Sequence, residues 1–341
     1  MSTASRTARL TGCACSERAE TVIFVRRKSI NEKETFFRDR EGCRLPLTHV
    51  TEGEFGSALK ETDALFGAAD VLSVANAEKH RRILLALSAA GTLLTLAFLL
   101  YDEAEWHGLI LACGVMILCL ALIRRLSARL DCHRRYLQYR VLAESLRVQF
   151  FLSLAGAGAR AADILPWSVR RGIPWIEEIL RELPAQEPGE KRSVLECWIR
   201  DQKRYHEKAL RKTESKDKRD GRTAKAVLTV TLAAYVAALA FELAAFRRGA
   251  ANADTVRAVL KIVLGTMSAV TLFTGSYYGK MSLSNVIDDH KRMISLYETA
   301  EEQILRDGES EELLLFLARE CLNENSTWYA YQSKNKPDMV I

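Results

Sequence analysis

Residues 83–101 read ILLALSAAGTLLTLAFLLY and carry no charged side chain. At a rise of about 1.5 Å per residue, a helix of this length spans about 28 Å, close to the hydrocarbon core of a membrane, which is about 30 Å thick. A helix on the surface of a soluble protein must have a polar face, and this run has none. The stretch therefore predicts a transmembrane helix.

Three more apolar runs follow along the chain. The second covers residues 106–123, where Trp106 and His107 extend a short apolar segment to the membrane interface. The third covers residues 226–246 and the fourth residues 256–278, where small residues that let helices approach closely in lipid are frequent. Short turns join the first run to the second and the third to the fourth. The runs therefore predict two transmembrane hairpins.

Basic residues set the predicted orientation, because cytoplasmic flanks carry an excess of lysine and arginine. Lys79-His80-Arg81-Arg82 precedes the first run, Arg124-Arg125 closes the second, and the dense run KALRKTESKDKRDGRTAK at 208–225 precedes the third. The outer turn of the second hairpin is also basic and argues the other way, but it is smaller than the inner clusters. Both termini and the middle segment are therefore predicted to be cytoplasmic.

One sequence pattern, here called the repeated phrase, occurs twice with the same spacing. Residues 131–144 read DCHRRYLQYRVLAE and residues 288–301 read DDHKRMISLYETAE. Each copy follows the second helix of a hairpin, and both hairpins enter the membrane from the same side. This arrangement is a parallel repeat with a pseudo-two-fold axis along the membrane normal. The apolar positions within each copy recur at steps of three and four, which predicts that the second helix of each hairpin continues into the cytoplasm as a stalk.

Each stalk carries one histidine and one glutamate on its apolar stripe: His133 and Glu144 in the first, His290 and Glu301 in the second. One hypothesis is that the stalks pack together and that His133 meets Glu301, or His290 meets Glu144, which would fix their register. In the other, all four are solvated residues at the rim of the stripe. Histidine would also make such packing sensitive to pH.

Two charged residues interrupt the second hairpin. Glu242 lies near the outer end of the third run and Lys261 near the outer start of the fourth, so they are predicted to lie at similar depth. An unpaired charge costs up to about 2.5–3.5 kcal/mol at the bilayer centre and less near the interface. The two either form an ion pair within the hairpin or reach the headgroups, or they belong to a polar ring that lines a conduit in an oligomer.

The chain is accordingly predicted to be an all-α integral membrane protein, with four transmembrane helices in two hairpins and a long cytoplasmic helical extension after each. An amphipathic helix is predicted at 54–78, helices near 173–183 and 192–215, a short strand at 21–28 and disorder over 1–20. The predicted parts are an N-terminal tail at 1–53, the first hairpin with its stalk at 54–150, a helical insert at 151–225, the second hairpin with its stalk at 226–308, and a C-terminal helix and tail at 309–341.

The sequence contains no pattern that predicts catalysis or a metal site. A glycine-rich stretch at 156–160 lacks the third glycine of a dinucleotide loop, and GxxxxGK[ST], GxSxG and HExxH do not occur. The eight cysteines form no CxxC pair, and the six histidines are not grouped with acids at ligand spacing. A net charge of +6 suits an anionic membrane face or, weakly, nucleic acid. Because no aromatic residue lies in the basic run at 208–225, we expect no nucleic-acid binding there. No catalytic residue, metal or cofactor is expected.

Four stretches resemble the SLATT-type bacterial membrane effectors and the membrane portion of prokaryotic proteins that carry a TRPM-like SLOG domain. Their order around the spans carries the resemblance more than any single motif, and no complete SLOG or TIR-like sensor lies ahead of Phe55. The stretches are FGSALKETDALFGAADVLSVANAEKHRR at 55–82, YRVLAESLR at 139–147, WIRDQKRYH at 198–206 and LARECLNENSTWY at 317–329.

The resemblance implies a multi-pass protein of the bacterial inner membrane that acts in a nucleotide-signalled defence system. It implies an oligomeric pore in the lipid bilayer, built from copies of this chain, and a sensor or nucleotide-generating partner encoded nearby. The alternative is a membrane scaffold that anchors a cytoplasmic enzyme and conducts nothing; a transporter fits less well, because no span is broken. The resemblance marks five positions: Trp198, Gln202, Tyr205, Glu324 and Trp328. Packing by amphipathic side chains predicts a structural role for them.

Overall fold

The structure is a computed structural model that describes residues 28–41, 56–103, 108–184, 192–248, 254–281 and 283–334. Apart from short connections these residues are helical, and no strand occurs among them, which confirms the predicted all-α class. The predictions of disorder over 1–20, of a strand over most of 21–28, and of outer turns at 104–107 and 249–253 fall outside the described residues.

The two longest helices of the described residues have 47 and 48 residues. They are accompanied by shorter ones, and a π-helical turn at Leu195–Arg200 leads directly into the second of them. In chain order the α-helices are α1 (28–41), α2 (Ser57–Glu103), α3 (Leu109–Leu130), α4 (Cys132–Leu154), α5 (Ala161–Ile164), α6 (Trp167–Gly172), α7 (Pro174–Glu182), α8 (Asp201–Arg248), α9 (Asp254–Met281), α10 (Leu283–Asp307) and α11 (Glu311–Lys334).

The chain divides into two compact units. The first, here called the body unit, combines the described residues up to Ala75 with Tyr136–Ile199 and Ala300–Lys334. The second, the hairpin unit, combines Asn76–Arg135 with the described residues of Arg200–Thr299. The body unit therefore contains most of the predicted insert and C-terminal helix, and the hairpin unit contains the apolar runs.

The body unit has a conventional hydrophobic core built around α4. Leu137, Leu142 and Leu146 of α4 are almost fully buried, and Trp175 of α7 is fully buried. Along α2, the predicted apolar face is also buried, which confirms the amphipathic helix. Antiparallel contacts then fix α2 against α4: Asp70 lies 4.0 Å from Arg140, and the Arg147 guanidinium lies over the Phe66 ring at 5.1 Å.

The helix α1 was not predicted from the sequence. Phe36 is completely buried and packs against Tyr139 and Trp175, with ring centroids 5.5 and 5.9 Å away. Polar contacts surround this anchor: the Tyr139 hydroxyl donates to Asp39 at 3.0 Å, and Lys33 bonds Glu182 at 2.5 Å. Part of the segment interpreted as a tail is therefore an integral helix of the body unit.

The predicted continuation of the second apolar run into a stalk is confirmed, with one interruption at Asp131. This residue adopts the left-handed conformation, with φ of 46° and ψ of 36°, and separates α3 from α4. Hydrogen bonds still bridge it, because its N–H donates to Ser127 O and its carbonyl accepts from Arg135 N, each at 3.1 Å. Aspartate tolerates this conformation better than most residues, and its carboxylate also binds Arg134 at 2.5 Å.

Among the residues that the structure describes, three helical segments are long and apolar enough to cross a membrane: Ser57–Asp102, Leu109–Leu154 and Leu195–Ala244. They contain the first three predicted apolar runs. Only 6%, 11% and 11% of their most apolar windows are buried within the chain, so these surfaces require an apolar solvent. The fourth run lies in α9, whose assignment as a span stays a prediction, as does the pseudo-two-fold relation.

The acidic residues at the junction of α10 and α11 bind two distant segments of the body unit. The Glu309 carboxylate accepts from the Ser193 hydroxyl and from the backbone N–H groups of Val194 and Leu195, the latter two at 3.0 and 3.2 Å. Two residues later, Glu311 accepts from Gly158 N at 2.7 Å. Glu309 thus caps the π-helical turn from a distant part of the chain, as an N-cap side chain does locally.

This cap predicts that Glu309→Ala lowers the free energy of unfolding by about 1 kcal/mol, because two backbone donors lose their acceptor. Chemical denaturation of the detergent-solubilised chain, followed by the fluorescence of buried tryptophans, measures the change. The matched control is Glu312→Ala, which removes an exposed carboxylate from the first turn of α11. Equal losses for the two variants would contradict the capping role.

Candidate functional site

The second hairpin, formed by α8 and α9, is joined by polar contacts along its length. Thr231 and Thr271 share a hydrogen bond of 2.9 Å, and Tyr235 and Ser268 one of 2.8 Å. Because the Ser268 hydroxyl donates to Leu264 O, the tyrosine must be the donor in the second bond. These contacts, together with the ion pair described next, are here called the polar seam.

The ion pair closes the seam near the predicted outer end. Arg257 binds Glu242 with two nitrogens, at 2.9 and 3.1 Å, in the bidentate geometry that suits a guanidinium and a carboxylate. Glu242 therefore takes part in an ion pair within the hairpin with Arg257, which lies one helical turn before Lys261. Lys261 is exposed on α9. Its role in a pair or a conduit stays a prediction.

The polar seam gives the polar side chains of this hairpin hydrogen-bond and ion-pair partners within an apolar environment. Unsatisfied polar groups in hydrocarbon cost several kcal/mol, so side chains there find partners on neighbouring helices. The seam leaves apolar side chains on the surface: Leu228, Leu232 and Val236 of α8 are more than half exposed. The threonine hydroxyls thus lie between the legs, the ion pair is partly exposed beside them, and apolar groups face outward.

The two hairpins touch where α9 meets α2. A β-carbon placed on Gly265 would lie 2.7 Å from a terminal methyl carbon of Leu99, closer than side-chain contacts allow. The glycine therefore permits the close helix approach that small residues provide in membranes. By contrast, a β-carbon on Gly114 of α3 would meet nothing within 4 Å.

This contact predicts that Gly265→Leu separates the hairpins, whereas Gly265→Ala is tolerated because the Leu99 side chain can rotate. Thermal unfolding of the purified chain in detergent should show a lower midpoint for Gly265→Leu than for Gly114→Leu, which makes the same change in open space. A midpoint for Gly265→Leu that matches the Gly114→Leu value would contradict the contact between hairpins.

Histidines join the legs of each hairpin beside the apolar runs. His206 of α8 and His290 of α10 approach with their Nδ1 atoms 3.1 Å apart. His80 of α2 and His133 of α4 stack with ring centroids 4.7 Å apart. His133 and His290 are the equivalent residues of the repeated phrase, so each copy places its histidine against a histidine of its own hairpin.

The remaining stalk residues lie in the body unit. Glu144 binds Arg140 at 2.9 Å and Arg147 at 2.8 Å, all on α4, so it stabilises its own helix. Glu301 is half-buried on α10. The hypothesis that His133 meets Glu301, or that His290 meets Glu144, stays a prediction. The two histidine pairs were not predicted from the sequence; one signal for them is that His206 lies about as far before the hairpin turn as His290 lies after it.

Three of the residues marked by the family resemblance pack against aromatic rings. Trp198 is buried and stacks on Phe151 with an interplanar angle of 5° and a centroid distance of 5.2 Å. Trp328 meets the Tyr136 ring edge-on at 5.7 Å. Of the others, Gln202 is buried, Glu324 is half-buried and Tyr205 is exposed with its ring against His206.

The described residues contain no group of three or more histidine, cysteine or acidic side chains that could hold a metal ion. One thiol has a perturbed pKa: burial raises the pKa of Cys132, at the start of α4, and the nearby Lys79 and Arg135 oppose the rise. A raised pKa lowers the thiolate fraction at neutral pH, so this cysteine is suited to packing rather than to nucleophilic chemistry.

Comparison of the chain with protein-family models, curated proteins and solved structures finds no match.

Proposed function

We propose that the chain is a four-span membrane protein that assembles with further copies into a pore, as an effector in a bacterial nucleotide-signalled defence system. The observation that carries the pore is the exposure of charge within the second hairpin. Lys261 is exposed, and the side chains of Arg257 and Glu242 are 40% and 47% exposed. In a single chain these groups would face lipid.

An oligomer removes the free-energy cost of exposing these charged side chains to lipid. A lysine at the centre of a transmembrane helix costs about 2.5–3.5 kcal/mol in lipid, less toward the interface. If the second hairpins of several copies face a common axis, the charges meet water in a central passage and the fully apolar first hairpins face lipid. A ring of cationic side chains in such a passage favours anions.

The defence role rests on the resemblance, and the packing of the matching stretches supports it. The stretches on α2, at the π-helical turn and on α11 all pack against α4, through Phe66 on Arg147, Trp198 on Phe151 and Trp328 on Tyr136. Loose motifs that pack against one helix support a family resemblance better than the same motifs scattered over a surface. The inner bacterial membrane and a nearby sensor or nucleotide-generating partner belong to the same proposal.

A specific observation favours the alternative, a scaffold that conducts nothing. The polar seam satisfies its groups between the legs of one hairpin, as a purely structural interface would. A lysine near the interface can also extend its side chain to the headgroups. In that case the hairpins are anchors and the body unit recruits a cytoplasmic enzyme.

Ion flux through proteoliposomes of the purified chain separates the two functions. The pore predicts conductance that favours anions, and Lys261→Gln should shift the reversal potential toward cation permeability because it removes a positive charge from the passage. Arg129→Gln, at an exposed position near the end of α3, should leave the reversal potential unchanged.

The oligomeric state is measured on the same sample by the mass of the chain in nanodiscs. An oligomer without conductance, in the presence of the partner nucleotide or protein identified from neighbouring genes, would favour the scaffold. A single chain per nanodisc would contradict the pore.

A further inference from the structure

Four of the six histidines form the two pairs described above, and each pair bridges the legs of one hairpin outside the apolar runs. The contact between His206 and His290 is the closer one, with two ring nitrogens 3.1 Å apart. Both side chains are half-buried, so protons from solvent can reach them. The pair lies at the cytoplasmic base of the second hairpin in the predicted orientation.

The chemistry of an imidazole pair limits how many protons it can hold. A hydrogen bond between two Nδ1 atoms needs one N–H donor and one bare acceptor nitrogen. The pair keeps that bond when it binds one extra proton, because the protonated ring remains a donor to the neutral one. A second proton turns both nitrogens into donors that face each other with like charges, so the contact must open.

Two aromatic rings and one ion pair across the legs lie beside this pair. The Tyr205 and Tyr297 rings pack on His206 at 5.2 and 5.8 Å, and Lys203 binds Glu298 across the two legs at 3.6 Å, an ion pair that cancels itself. The other charged side chains within four residues of either histidine are nearly balanced in sign: Arg204, Glu207, Lys208, Asp288, Asp289, Lys291 and Arg292.

The first hairpin differs in this respect. Within four residues of His80 or His133 the charged side chains are mostly basic, and nearby positive charge disfavours protonation of histidine. Two acids stand against six bases: Glu78 and Asp131 against Lys79, Arg81, Arg82, Arg129, Arg134 and Arg135. The buried Cys132 thiol is the other titratable group beside this pair. The first pair therefore serves as a control for the second.

We propose that the His206–His290 pair is a proton-operated latch on the second hairpin, closed near neutral pH and opened in acid when the pair binds a second proton. Release of the latch frees the legs of α8 and α10 from one another next to the span. The latch does not depend on whether the hairpins conduct ions. A metal clamp on the same two nitrogens is less well supported, because the described residues supply no third ligand.

The test measures the separation of the legs directly. Spin labels are attached at Ser215 of α8 and Ser284 of α10, two exposed positions, in the full chain without its native cysteines and in nanodiscs. Pulsed electron–electron double resonance is recorded from about pH 7.5 to about pH 4.5, because the charge of the first proton lowers the pH at which the second one binds. We expect a longer-distance population to grow as the pH falls, with a single midpoint.

Matched variants assign the response to the pair. The double variant His206→Gln and His290→Gln keeps hydrogen-bonding side chains that do not titrate, and it should lose the pH dependence. The double variant His80→Gln and His133→Gln should keep it. A pH response that survives in the first variant, or no response in the otherwise unchanged chain, would overturn the latch. Opening by a chelator at neutral pH would also overturn it, in favour of a metal clamp.

Discussion

The structure depends on the solvent that its longest helices require. Segments of α2, α3 and α8 expose apolar side chains around most of their circumference, and almost none of that surface is covered by the rest of the chain. Water would not support such helices as separate rods, but hydrocarbon does, provided that each backbone group is bonded within its own helix. Short connections join the first run to the second and the third to the fourth, so each pair of helices is predicted to form a hairpin. Polar groups of a hairpin find partners between its two legs or beside them.

The remaining polar chemistry follows from that constraint. Within the second hairpin, hydroxyl groups pair with hydroxyl groups and Arg257 binds Glu242, so the most polar side chains lie between or beside the legs. Beyond the apolar runs the same legs are joined by histidines, which water can reach. The body unit needs no lipid: its core is built from tryptophan, tyrosine and leucine, and its loops are capped by Glu309 and Glu311.

The parts of the fold that were predictable from sequence are those that the membrane dictates. Run length, the absence of charge and basic flanks are local properties, so the apolar helices and the amphipathic start of α2 could be predicted. The helix α1 could not, because a charge-rich stretch is held by one dominant buried side chain, Phe36, whose partners lie more than a hundred residues away. The pairing of Glu242 with Arg257, one helical turn before Lys261, depends on the axial shift between two helices. Sequence spacing does not determine that shift, and the same limit concealed the partners of His133 and His290.

The account rests on four crossings in two hairpins with both termini inside, and accessibility of single cysteines tests this most directly. In a cysteine-free chain expressed in bacterial cells, a membrane-impermeant maleimide is added to intact cells and to inverted vesicles. Cysteines at positions 104 and 252, in the two predicted outer turns, should react only in intact cells, and cysteines at 208 and 312 only in inverted vesicles. Labelling of position 252 from the cytoplasmic side would contradict the account, since it would mean that the second hairpin does not cross the membrane.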